Sequence, residues 1–323
     1  MSRSRALPAL VVAALALGGC AAFQADDGDD GATAGGDGTA PTVLTSFYPL
    51  QYVTEEIGGD RLTVSSLTPP GVDPHTVELA PRTVADMAEA GLVVYLAGFQ
   101  TAVDEAVDVT GVPAFDAAEH TELLTTGQTG HDHDDEHAGD EHADETATGS
   151  EPVDAHFWLD PARLAEVAQA LADELADLDP DGAAAYRANA DTLVAELGAL
   201  DDELDAGLAS CERDTIVVAH EAYGYLTADH GLRQEGLSGI DPDSEPSPAR
   251  LAEIADVVAE HDVDTIFVES LLSPAVSEAL AQDLGLRTAV LDPLENQQDE
   301  GADYLDVMRA NLGALQTALG CTA

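Results

Sequence analysis

The sequence predicts an α/β protein of two lobes, each built on a parallel sheet, with one long helix between them. Three observations carry this. Apolar runs alternate with helical stretches in both halves of the chain. Some of those runs, such as Leu92-Val93-Val94-Tyr95-Leu96, are continuous rather than alternating, as in strands buried on both faces of a parallel sheet. Residues 183–210 contain no proline, and Leu193, Leu197, Leu200, Leu204 and Leu208 recur there at spacings of three or four. That spacing marks one amphipathic helix, roughly 40 Å long at about 1.5 Å per residue.

Taken in order, residues 43–47 read as a first strand, 49–58 as a helix and 62–67 as a second strand. Pro69-Pro70-Gly71 breaks the pattern into a loop. A helix over 83–90, the strand at 92–96, a further helix and a strand at 112–115 continue the alternation. Residues 127–150 interrupt it. They hold almost no large apolar residue and are dense in His, Asp and Glu, which predicts a surface insertion without fixed structure. A helix over 161–178 opens with Pro161 in its first turn and stops at Asp179-Pro180-Asp181-Gly182. After the long helix come a strand at 215–219, a helix at 249–260, a strand at 265–269, a helix at 274–284, a strand at 287–291 and a last helix at 304–319. The organisation predicted is a leader over 1–20, a tether over 21–41, a first lobe over 42–180, a linking helix over 181–210 and a second lobe over 211–323.

The leader is read from Arg3 and Arg5, the apolar run from Ala6 to Leu17, and Leu17-Gly18-Gly19-Cys20. This is the pattern of a secretory signal, too short to span a membrane comfortably. Small residues directly before a cysteine resemble a bacterial lipobox, which implies lipid on Cys20 and a protein held at the outer face of the cell membrane. The tether is nearly all Ala, Gly, Asp and Thr. Outside the cytoplasm the two remaining cysteines, Cys211 and Cys321, are consistent with a disulfide. The 323 residues carry a formal net charge of −52, and all 11 basic residues are arginine. Such a chain repels nucleic acid and anionic lipid and draws cations nonspecifically. A charge of this size also arises from adaptation to a salty or acidic medium, so a specific function has to be read from the histidines.

Of the 10 histidines, His131, His133, His137 and His142 lie in the insertion, where imidazoles alternate with carboxylates. That is the composition of a loose, low-affinity metal collector. Three others stand at strand ends or proline-marked turns. His75 follows Pro69-Pro70-Gly71-Val72-Asp73-Pro74, His156 enters a helix at Phe157-Trp158-Leu159-Asp160-Pro161, and His220 ends the strand Thr215-Ile216-Val217-Val218-Ala219. Asp292 ends the strand at 287–291 in the same way. Ligands of open parallel sheets bind beyond the carboxyl ends of the strands. Three imidazoles and a carboxylate meeting there suit Zn²⁺, and would also take Mn²⁺, Co²⁺ or Ni²⁺. His120, His230 and His261 have no assigned role.

These motifs, in this order, resemble the metal-binding substrate-binding proteins of ABC transporters, cluster A-I, and most closely their zinc-uptake, ZnuA-like branch. The segments that carry the resemblance are Gly71-Val72-Asp73-Pro74-His75, the His-rich insertion, and His156-Phe157-Trp158-Leu159-Asp160-Pro161. Val218-Ala219-His220-Glu221-Ala222-Tyr223-Gly224-Tyr225-Leu226, Phe267-Val268-Glu269-Ser270 and Leu291-Asp292-Pro293-Leu294 complete the set. The resemblance implies two (β/α) lobes joined by one long rigid α-helix, with the metal buried between them. It implies His75, His156, His220 and Asp292 as ligands, and a lean to zinc over manganese because His220 stands where many manganese-type members have Glu. It also implies a monomeric, non-enzymatic protein that hands Zn²⁺ to a membrane permease with its ATPase. Asp73 and Glu221, next to ligands in sequence, are candidates to orient an imidazole. The rival readings are a manganese-type member of the same family, a secreted zinc hydrolase with Glu221 as base, and a zinc-buffering adhesin. The hydrolase reading lacks an H-E-x-x-H helix, and no phosphate loop is present.

Overall fold

The computed structural model describes residues 40–129, 152–271, 273–297 and 301–322. The expected leader with Cys20, nearly all of the tether, and His131, His133, His137 and His142 lie outside the described residues. From Ala40 onward the chain is one compact unit with two sheets.

The first sheet is made of β1 (Thr42–Thr45), β2 (Thr63–Ser66), β3 (Leu92–Tyr95) and β4 (Ala114–Asp116), with helices α1 (Tyr48–Gly58), α2 (Pro81–Met87) and α3 (Thr101–Thr110) in the connections. Then follow α4 (Pro161–Leu178) and the long α5 (Ala183–Leu208). The second sheet holds β5 (Thr215–Val218), β6 (Arg233–Gly236), β7 (Thr265–Val268) and β8 (Arg287–Val290), with α6 (Gly224–Asp229), α7 (Pro248–Glu260) and α8 (Ala275–Leu284) between them and α9 (Tyr304–Leu319) last. Strand order is β2-β1-β3-β4 in one sheet and β6-β5-β7-β8 in the other, and every pairing is parallel. The two-lobe α/β class is therefore the one expected. In both sheets the connections diverge between the two central strands, so each sheet opens a crevice beyond the carboxyl ends of β1 and β3, or of β5 and β7.

Local chemistry accounts for the boundaries. Asp160 caps α4 by accepting from Arg163 N at 3.1 Å, and Pro161 fills the first turn. Such a cap contributes about 1 kcal/mol. Gly111, Gly285 and Gly320 end α3, α8 and α9 in the left-handed region, where a glycine has no Cβ to clash. The leucine stripe of α5, from Leu193 to Leu208, is buried in one large core shared with α1, α4 and α9. Two smaller cores lie against the outer faces, one around Met87, Val93 and Val103 and one around Val217, Ile254 and Ile266. Cys211 and Cys321 are joined in a disulfide just beyond the ends of α5 and α9.

Two elements carry no sequence expectation. β6 reads Arg-Gln-Glu-Gly, a polar edge strand, and α6 has only six residues. α2 begins two residues before the expected helix because Pro81 serves as its first-turn residue.

Candidate metal centre

His75 sits on a single 3₁₀ turn, Pro74–Thr76, after β2. Asp73 caps that turn by accepting from His75 N at 2.8 Å. A chain of hydrogen bonds anchors it to the first sheet: Gln100 Nε2 donates to Pro74 O (3.1 Å) and to Thr68 Oγ1 (3.0 Å), and Thr68 Oγ1 donates to Ser46 O (2.6 Å). The Phe99 ring packs against the imidazole in a T-shaped arrangement, with centroids 4.8 Å apart.

His156 precedes the turn Phe157–Leu159 and is fully buried. Asp154 Oδ1 accepts from His156 N at 2.9 Å and lies 2.8 Å from Nδ1. His220 lies two residues past β5, also fully buried. Glu269, one residue past the adjacent strand β7, accepts from His220 N at 3.2 Å and lies 2.7 Å from Nδ1. With Nδ1 committed to a carboxylate, both rings turn Nε2 inward.

The three Nε2 atoms converge on one oxygen. Glu295 Oε1 lies 3.1 Å from His75, 3.3 Å from His156 and 3.2 Å from His220. The four ligand-type atoms all lie within 4.8 Å of one another, and the imidazole centroids stand 5.4, 5.4 and 5.8 Å apart. A tetrahedron with metal–ligand bonds of about 2.0–2.1 Å has edges of about 3.3 Å. One carboxylate oxygen has two lone pairs, so it cannot satisfy three nitrogens. His220 Nε2 is accordingly buried with no hydrogen-bond partner. An unsatisfied buried nitrogen of this kind is costly unless a cation completes the group.

Electrostatics point the same way. Burial disfavours the charged form of His156, but the bonds to Asp154 and Glu295 override it and raise its pKa. His220 behaves likewise, its burial outweighed by Glu269 and Glu295, and its pKa is raised well above the ordinary imidazole range. Burial alone would raise the pKa of Glu295, yet the imidazoles of His156, His220 and His75 hold it well below the usual carboxylate range. The buried carboxylate and the rings of His156 and His220 thus favour one another's charged forms.

Asp292, the acidic residue expected at this place, is displaced by Glu295. Asp292 Oδ1 accepts from Leu294 N at 2.8 Å and Oδ2 from Ser270 Oγ at 3.3 Å. Its backbone is gripped on both sides by Asn311. It builds the turn, and Leu294, at φ 60°, reverses the chain so that Glu295 enters the site. Asn296 ties the next residue across to the loop before His75, accepting from Gly71 N (3.0 Å) and donating to Pro69 O (3.0 Å) and Val72 O (3.1 Å). Trp158 Nε1 donates to Pro293 O at 2.7 Å, which links the same turn to His156.

Of the two residues expected to orient an imidazole, Asp73 holds only the backbone of His75. Glu221 faces elsewhere: its Oε1 accepts from Gly236 N at 3.2 Å and lies 3.5 Å from Arg250 Nη2. The orienting carboxylates are Asp154 and Glu269. An acid two residues before His156, and another at the end of a strand, were the available signals. Among the described residues, the three remaining histidines have ordinary partners. His120 stacks on Phe115 at 4.4 Å, while His230 and His261 end α6 and α7 beside Asp205 and Asp214.

Residues 43–318 match the family model described as zinc-uptake complex component A, periplasmic (ZnuA). The chain belongs to the ZnuA family. Among ZnuA-family relatives, it is 32% identical over 281 residues to the zinc-binding lipoprotein AdcA of Streptococcus pneumoniae, an alignment that covers 85% of this chain and 55% of AdcA. The chain thus spans about half the length of the AdcA proteins it matches. It is 31% identical over 285 residues to the high-affinity zinc uptake system protein ZnuA of Bacillus subtilis, covering 86% of this chain and 87% of that protein. The crystal structure of the Zn(II)-bound ZnuA-like domain of S. pneumoniae AdcA superposes with a TM-score of 0.71 at 30% identity, over 87% of this chain and 99% of that one.

Proposed function

We propose that this ZnuA-family chain captures one Zn²⁺ between its two sheets, with His75, His156, His220 and Glu295 as ligands, and delivers it to an ABC-type importer. The observation that carries the reading is the convergence of three imidazole nitrogens on one carboxylate oxygen at tetrahedral-edge spacing. Three nitrogens and one oxygen favour zinc over manganese, which takes more oxygen ligands. Relatives named for zinc binding and for zinc uptake support the same choice.

Four side-chain donors leave no position for an attacking water, and Glu221 is turned to Gly236 and Arg250. Both features support a carrier over a hydrolase. Among the described residues, no helix is long and apolar enough to cross a membrane. Lipid on Cys20 and the tether over 21–41 would hold the chain at the outer face of the cell membrane, where it acts as a monomer beside a permease and its ATPase. In this reading residues 42–180 and 211–323 are the lobes that grip the ion, and 181–210 the helix that joins them. His131, His133, His137 and His142 form a weaker collector of the same ion.

Titration of the metal-free chain with Zn²⁺ in competition with a chromogenic chelator tests this. One tight site per chain is expected, lost in His156→Ala and His220→Ala and preferred over Mn²⁺. Full tight binding in both variants would overturn the ligand assignment.

A further inference from the structure

α6 supplies no ligand, yet it presses on the pair that aims His156. Tyr225 is fully buried, and its hydroxyl donates to Asp154 O at 2.7 Å while accepting from Leu124 N at 2.8 Å. Asp154 N in turn donates to Leu124 O at 2.9 Å, and Thr125 and Val153 form an antiparallel bridge beside them. One phenol thus closes the clip from which Asp154 projects. The Arg163 guanidinium lies over the phenol ring at 5.3 Å and is itself held by Asp160 at 2.7 Å.

Gly224 meets the side chain of the same residue, Asp154. A methyl group at Gly224 would stand 2.7 Å from Asp154 Oδ2 and closer still to Thr129 Cβ. Both neighbours are buried, and Thr129 N is held by Thr125 O at 3.1 Å. Something must shift to admit it, and the carboxylate is one of the two groups in the way; its Oδ1 is the atom that grips both His156 N and Nδ1. The backbone of Gly224 is in the ordinary helical region, so it is the close approach that calls for glycine there.

We infer that Gly224 and Tyr225 are positioning residues for metal binding, acting through Asp154 on the ring of His156. The inference rests on the zinc reading of the site. It gives a short element of the second lobe control over a ligand carried by the first. Loss of an orienting partner costs a metal site about 10- to 100-fold in affinity, and a shift of a few tenths of an ångström in the supporting carboxylate falls in the same class.

The test is a double-mutant cycle on the full chain, read as Zn²⁺ affinity by chelator competition. Gly224→Ala and Tyr225→Phe are each made alone and together with Asp154→Ala. Each is expected to weaken zinc about 10-fold or more when Asp154 is present, and by less than about 3-fold when it is absent. An equal loss in both backgrounds would mean that α6 acts by general destabilisation, and the inference would fail. No loss with Asp154 present would also overturn it. Should Gly224→Ala not fold, the Tyr225→Phe cycle decides alone, since it removes one oxygen and adds no bulk. If the unsubstituted chain bound no Zn²⁺, the zinc reading itself would fall. Tight binding there with unaffected variants would sink only the role of α6.

Discussion

His75 on one side, and His156 with His220 on the other, reach the same carboxylate oxygen but are held very differently. His156 and His220 are wholly buried, and each has Nδ1 on a carboxylate, Asp154 or Glu269. His75 keeps 12% of its side chain exposed, is fixed through its backbone by Asp73, and makes no Nδ1 hydrogen bond among the described residues. In the proposed centre His156 and His220 are preset, and the partly exposed His75 is the less constrained of the three. A site built this way is expected to hold its ion through the preset pair and to exchange it through the third ligand.

The largest effect belongs to the preset pair. His156→Ala and His220→Ala should each weaken Zn²⁺ by more than the roughly 100-fold ceiling for losing an orienting partner. His75→Ala should cost less and should speed dissociation, seen as a faster transfer of zinc to a chelator in stopped flow. Equal losses at all three positions would erase the distinction drawn here.

Next in size come the carboxylates behind the rings. Asp154→Asn and Glu269→Gln keep shape and remove charge, and each is expected to cost about 10- to 100-fold in zinc affinity. Asp73→Asn keeps a capping oxygen for His75 N and should change affinity by less than about 3-fold, because asparagine caps as well as aspartate does. Equilibrium competition measures all three.

A smaller, graded effect is set by pH. His156 and His220 have folded pKa values above the ordinary 6.5. Their contribution to the metal-free fold is complete below 6.5 and is lost as pH rises through the raised values. Glu295 lies below its ordinary 4.5, so its contribution holds above 4.5 and is lost as pH falls through the lowered value. The metal-free protein should therefore be most stable between these limits, followed by thermal unfolding across pH. Zinc must displace the imidazole protons, so its affinity should climb over the range where metal-free stability declines. Calorimetry in buffers of different ionisation enthalpy would count the protons released. Zinc affinity that did not change across that range would contradict the assignment of protons to these rings.

Much of this was legible in the sequence, for reasons tied to particular residues. Thr215-Ile216-Val217-Val218 announces a buried strand, so His220 just beyond it is visible, and Asp73-Pro74 announces the turn that carries His75. Glu295 was hidden because the turn before it depends on Leu294 in the left-handed region, a conformation no leucine advertises. Asp292 was the more visible acid because it ends an apolar run, and it proved to be the hinge of that turn. The role of Glu269 depends on β5 and β7 being neighbours, a fact of strand order that no local pattern holds. β6 was missed because an edge strand of Arg, Gln, Glu and Gly needs no apolar run.

The measurement that bears most directly on the four-ligand centre is anomalous diffraction at the zinc edge from crystals of the zinc-loaded chain. One peak is expected at about 2.0–2.2 Å from Nε2 of His75, His156 and His220 and from a carboxylate oxygen of Glu295. A peak coordinated by Asp292, or one that leaves any of the three imidazoles unbound, would contradict the account.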